Sequence, residues 1–134
     1  MAPTGIHHLG VAVEDLDEAV ATYERLFGAS LEHRETVEYQ GVEAASLRVG
    51  ESRVDLVAAL GEDTPVGRFL TRRGPGVHHV AYEVVDLPGE LARLASAGVQ
   101  LIDEAPRRGM FGLQVAFIHP DASDGVLSEL VSHG

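Results

Sequence analysis

The strongest constraint on this 134-residue chain is a segment that occurs twice. Ile6-His7-His8-Leu9-Gly10-Val11-Ala12-Val13-Glu14-Asp15-Leu16 returns as Val77-His78-His79-Val80-Ala81-Tyr82-Glu83-Val84-Val85-Asp86-Leu87, at an offset of 79 − 8 = 71 residues. Two copies in register of an apolar run with a double histidine, each ending in Asp-Leu, imply two structural modules of about half the chain each. Function is therefore to be read from how the two copies face each other.

Each copy predicts a strand followed by a helix. Residues 6–13 alternate and are rich in β-branched side chains, which reads as a strand. Asp15 then caps a helix in which Leu16, Ala19, Val20, Tyr23, Leu26 and Phe27 follow helical spacing up to a stop at Gly28. Strands are expected at Ser30–Val37, Val42–Val49 and Arg53–Leu60, giving β-α-β-β-β. Gly and Pro punctuate residues 61–75 as a linker in which 66–73 form a short helix. The second module repeats the order: a strand at Val77–Val84, a helix capped by Asp86 and stopped by Gly98, then strands near Gln100–Glu104, Leu113–His119 and Val126–Val131. The fold class expected is α+β, with modules at about 5–60 and 76–132 packed about a pseudo-twofold axis into one domain of 1–134.

Composition narrows the function. There are no cysteines, so a disulfide framework, a thiolate metal site and a cysteine nucleophile are excluded. The net charge is −11, from 21 acids against 10 basic residues, all arginine, and such a field repels nucleic acid and anionic membranes. Any anionic ligand needs a local basic patch, for which Arg68, Arg72 and Arg73, or Arg107 and Arg108, are candidates; singly, each reads more simply as a solvated surface residue. No segment approaches the roughly 18 apolar residues of a membrane span, and no leader is evident, so a cytoplasmic protein is expected.

The residues that carry chemistry are paired between the copies. His8 and His79 occupy the same position on the first strand of each module, so twofold packing aims both at a common centre. The last strand of each module carries an acid among apolar neighbours: Asp55 in Val54-Asp55-Leu56-Val57, and Glu129 in Leu127-Ser128-Glu129-Leu130-Val131. A buried acid must be paired or bound to metal to offset its desolvation. Two histidines and two carboxylates suit a divalent ion of borderline hardness: Co²⁺, Mn²⁺, Zn²⁺, Ni²⁺ or Fe²⁺. His7 and His78 point to the opposite face by strand alternation and take structural or supporting roles. His119 lies at a strand end before Pro120, His33 and His133 have no paired counterpart, and all three default to surface or loop.

These residues resemble the vicinal oxygen chelate superfamily, and the local motifs resemble its methylmalonyl-CoA epimerases. The matching stretches are residues 6–13, Gln40-Gly41-Val42, Gly74-Pro75-Gly76-Val77-His78-His79-Val80-Ala81, Leu101-Ile102-Asp103-Glu104-Ala105-Pro106-Arg107, Ala116-Phe117-Ile118-His119-Pro120 and Gly125-Val126-Leu127-Ser128-Glu129-Leu130-Val131. The resemblance implies metal ligation by His8, His79 and Glu129, with Asp55 at the fourth position, where the family usually has Gln or Glu. Co²⁺ is the ion it favours, and Glu129 doubles as a catalytic base. It also implies an acyl-CoA substrate epimerised at C2 through a metal-stabilised enolate, and a homodimer. Two positions depart from the pattern: Ala44 stands where some bacterial epimerases have a Glu, and Asp121 where a Lys is common. Glu43, beside Ala44, is turned away by alternation. The rival readings are a glyoxalase-type isomerase or lyase, a ring-cleaving dioxygenase, which leaves Asp55 unused, and a non-catalytic small-molecule binder. The last predicts an aromatic-lined cavity, against an aromatic content of 5%.

Overall fold

The computed structural model describes residues 2–134. They fall into two compact units, one spanning His8–His78, the other joining the N-terminal residues through His7 to His79–Gly134. Each unit repeats one plan, because each starts from the same strand-and-cap sequence.

In the first unit, β1 (Gly5–Ala12, from His8 onward) is followed by α1 (Leu16–Phe27), β2 (Ser30–Val37), β3 (Val42–Val49), β4 (Ser52–Ala59) and α2 (Pro65–Arg73). Asp15 starts α1 by accepting the Glu18 amide at 3.1 Å, and Gly28 ends it at φ 63°, where a side chain is disfavoured. Thr64 caps α2, with proline at its first helical position. The strands order β2-β3-β4-β1, antiparallel except for the parallel β1–β4 pair. Alternation sorts their side chains into two faces. Leu47, Ala45, Leu56 and Ala58 pack with Val13, Leu16 and Val20 beneath α1, while Ala44, Ser46, Asp55 and Val57 lie on the other face.

Leu56 is fully buried at the centre of that cluster. Leu56→Ala is expected to cost about 2–5 kcal/mol, from lost transfer energy and the cavity left behind. Urea unfolding checks this, and a cost below about 1 kcal/mol would place Leu56 outside the core.

The second unit contains β5 (Gly76–Glu83, from His79 onward), α3 (Leu87–Ser96), β6 (Arg107–Arg108), β7 (Gln114–Ile118) and β8 (Ser128–Ser132). Asp86 caps α3 by accepting the Gly89 amide at 3.1 Å. The order β5-β8-β7-β6, with β5 parallel to β8 and the other pairs antiparallel, reproduces the first unit's pattern. Leu130 and Ala116 pack beneath α3 with Leu87 and Leu91. Among the described residues no helix is long and apolar enough to cross a membrane.

One strand expectation fails. Residues 100–104 do not form a strand: a single bridge joins Leu101 to Ile118, and the edge is completed only by the two-residue β6. The Ile102 and Asp103 amides both converge on the Phe117 carbonyl, at 3.0 and 3.1 Å, and the Asp103 carboxylate accepts the Phe117 amide at 2.9 Å. The side chain thus takes a bond that a neighbouring strand would supply, and Pro106 brings no amide of its own.

Candidate functional site

In the first unit His8 and Asp55 are brought together on adjacent strands. Asp55 sits in register between Gly10 on β1 and Ser46 on β3, small residues that leave room above the sheet for its carboxylate. His8 Nε2 lies 3.4 Å from Asp55 Oδ2, with both side chains over nine-tenths buried. The Ser46 hydroxyl is buried and has no hydrogen-bond partner among the described residues. A buried donor left so costs about 1–3 kcal/mol, which a ligand or water beside Asp55 would offset.

The second unit builds the same pair. Glu129 on β8 lies in register between Ala81 on β5 and Phe117 on β7, and Ala81 is the repeat's counterpart of Gly10. His79 Nε2 is 3.3 Å from Glu129 Oε1, again with both side chains over nine-tenths buried. Phe117 holds the His79 ring edge-on at a centroid distance of 5.6 Å.

These separations are informative. A charge-assisted N–H···O⁻ bond closes to about 2.7–2.9 Å. Donor atoms bound to one ion at about 2.1 Å lie about 3.0 Å apart along an octahedral edge and about 3.4 Å along a tetrahedral one. Both pairs match the second case, with imidazole and carboxylate as donors, so each can supply two ligands to a borderline divalent ion.

The remaining predicted residues divide clearly. Glu43 does turn away: its carboxylate pairs with Arg34, which also binds Asp17 of α1. Those two carboxylates hold the Arg34 guanidinium's pKa above its ordinary value. At the β3–β4 end, hydrogen bonds from Arg53 and then Arg48 hold Glu32 below the usual carboxylate range. Arg68 pairs with Asp63, Arg73 lies over Phe69, and Arg107 is 3.7 Å from Asp103. His78 packs edge-on against Phe69, and His119 caps the turn that follows it, accepting the Asp121 amide at 3.1 Å.

His33, expected at the surface or in a loop, keeps a partly exposed side chain. It lies on β2, half-buried, with Nε2 2.6 Å from Glu35 Oε1. Glu35 stands directly opposite Ala44 in register, so the two share a face. Sequence reasoning passed over Glu35 because it sits in the polar run Glu32-His33-Arg34-Glu35-Thr36 of β2, where no apolar neighbour marks it. Ser46 was passed over as a small residue in an apolar run. His133 is exposed as expected, but it pairs with Glu83 at 3.5 Å.

The chain belongs to the glyoxalase/bleomycin resistance protein/dioxygenase superfamily, whose family model matches residues 7–117. The expected fold class, α+β from two β-α-β-β-β modules, is that family's fold. Within it the chain is similar to methylmalonyl-CoA epimerases. It is 40% identical to the crystal structure of the enzyme from Mycobacterium tuberculosis, with a TM-score of 0.95 over 98% of this chain and 89% of that one. A methylmalonyl-CoA epimerase solved with methylmalonyl-CoA and NH₄⁺ gives 36% identity and a TM-score of 0.96, covering 99% and 96% of the two chains. The ethylmalonyl-CoA/methylmalonyl-CoA epimerase of Cereibacter sphaeroides is 32% identical over 93% of this chain and 95% of its own length.

Proposed function

We propose that this protein is a metal-dependent epimerase of methylmalonyl-CoA or a close 2-alkylmalonyl-CoA, with His8, Asp55, His79 and Glu129 as its metal-binding residues. The observation that carries this reading is the buried His–carboxylate pair built twice on equivalent strands, at 3.4 and 3.3 Å. His8, His79 and Glu129 are each buried and each offers a ligand atom. The similarity to epimerases, one of them solved with methylmalonyl-CoA, supports the acyl-CoA substrate. Resemblance alone extends the reading to Co²⁺ as the preferred ion, a homodimer and a cytoplasmic location.

A divalent ion at these ligands supplies a Lewis acid for the negative charge that develops on substrate oxygens when C2 loses its proton. The protein's own residues do the rest. Glu129, with its lower-polarity flanks of Ala81 and Phe117, takes the C2 proton at a carboxylate oxygen. Inversion then needs a proton delivered to the opposite side of C2. Ala44 offers no acid, and the carboxylate opposite it, Glu35, held by His33, fills that role. The Ser46 hydroxyl donates to a substrate oxygen beside Asp55.

The test is interconversion of the two C2 epimers of methylmalonyl-CoA, followed by the circular dichroism of each starting epimer. Convergence of the signals from the two starting epimers on one common value is expected with the metal-loaded protein, and Glu35→Gln should slow it about 10²-fold, at the low end for a general acid–base. A signal that stays at its starting value at stoichiometric metal would retire the epimerase reading.

A further inference from the structure

We infer that His7, Glu83 and His133 form a second divalent-metal site, separate from the His8 and His79 pairs and independent of the epimerase reading. All three belong to one unit, and a ligand atom from each lies within 4.8 Å of the others. His133 Nε2 is 3.5 Å from Glu83 Oε2, close to the edge of a tetrahedral zinc site, about 3.4 Å. The His7 and His133 rings are tilted at 59°, 5.8 Å apart, so their nitrogens approach without stacking. His7 is 9% exposed, and strand alternation sends it to the face opposite His8.

The repeat provides an internal comparison. The counterpart of His7 is His78, whose ring is accounted for by edge-on packing on Phe69 at 5.0 Å. At the β1/β5 offset of 71, the counterpart of Glu83 is Ala12 (83 − 71). At the β4/β8 offset of 129 − 55 = 74, that of His133 is Ala59 (133 − 74). At the two corresponding positions one copy therefore carries alanines, and the other a carboxylate and a second imidazole. Framework packing explains the first arrangement; the second is a ligand set.

The backbone around these ligands is fixed. The Thr4 amide and hydroxyl both bond the Glu83 carbonyl, at 2.8 and 3.3 Å. The Ser132 hydroxyl donates to the Val85 carbonyl and accepts the Gly134 amide, each at 3.4 Å, on either side of His133. Two imidazoles and one carboxylate select borderline ions of the Zn²⁺, Ni²⁺ and Co²⁺ class, with a fourth position open to water or an exogenous donor. Bound there, an ion ties the end of β8 to the end of β5 and the start of β1.

Equilibrium dialysis of the whole chain against Zn²⁺, with metal counted by mass spectrometry, tests the site. His133→Ala and Glu83→Gln alter exposed or half-exposed side chains, so both variants should fold. Each is expected to bind one equivalent fewer than the parent, whatever the parent's total. Stoichiometry unchanged from the parent in either variant overturns the inference.

Discussion

Glu129→Gln is expected to slow C2 epimerisation by about 10²–10⁴-fold, the range that a positioned general base supplies. The substitution keeps the side chain's volume in a position that is 4% exposed and flanked by Ala81 and Phe117, so packing is preserved. What it removes is the proton acceptor and one charged ligand beside His79. Metal content measured on the same sample separates the two losses. A variant that retains metal and loses turnover assigns the proton to Glu129, whereas turnover within about threefold of the parent removes Glu129 from the chemistry.

Chelation is expected to act as strongly, and on stability as well. Without an ion, Asp55 and Glu129 remain buried carboxylates beside imidazoles that stand farther off than a strong hydrogen bond. Turnover should fall by about 10³-fold or more, consistent with several kcal/mol of lost charge stabilisation. The folded state should also lose about 3–4 kcal/mol relative to protein held at 100 to 1,000 times the metal's Kd. Co²⁺ should restore both. Full activity in metal-free protein, confirmed by elemental analysis, would contradict the ligand assignment.

Much of the fold was legible in the chain because the repeat made each inference twice. Asp15 and Asp86 announced both helices, since a carboxylate before an apolar-periodic run has one common use, the helix cap. The apolar neighbours of Asp55 in Val54-Asp55-Leu56-Val57 marked the strand that carries the acid. Glu43 was correctly read as pointing away, because side chains alternate along a strand. Residues 100–104 misled because Leu101 and Ile102 satisfy a strand pattern, while the decisive competitor, the Asp103 carboxylate taking the Phe117 amide, is a contact across 14 residues that local pattern does not show.

The candidate chemistry was only partly legible. A His and an acid at matching positions of two copies stand out by coincidence, as His8, His79, Asp55 and Glu129 did. Glu35 stands outside the paired pattern, and Glu83 and His133 break the symmetry of the repeat, since Ala12 and Ala59 occupy the corresponding places. Tertiary contact is what turns these single residues into groups.

The central claim is that this protein moves a proton at C2 of an acyl-CoA in a metal-dependent step. Deuterium incorporation at C2 of methylmalonyl-CoA in D₂O, read by mass spectrometry with Co²⁺-loaded and with chelated protein, tests it most directly. Rapid incorporation that requires the metal is the predicted result. Protein that carries stoichiometric Co²⁺ and leaves C2 unlabelled would contradict it.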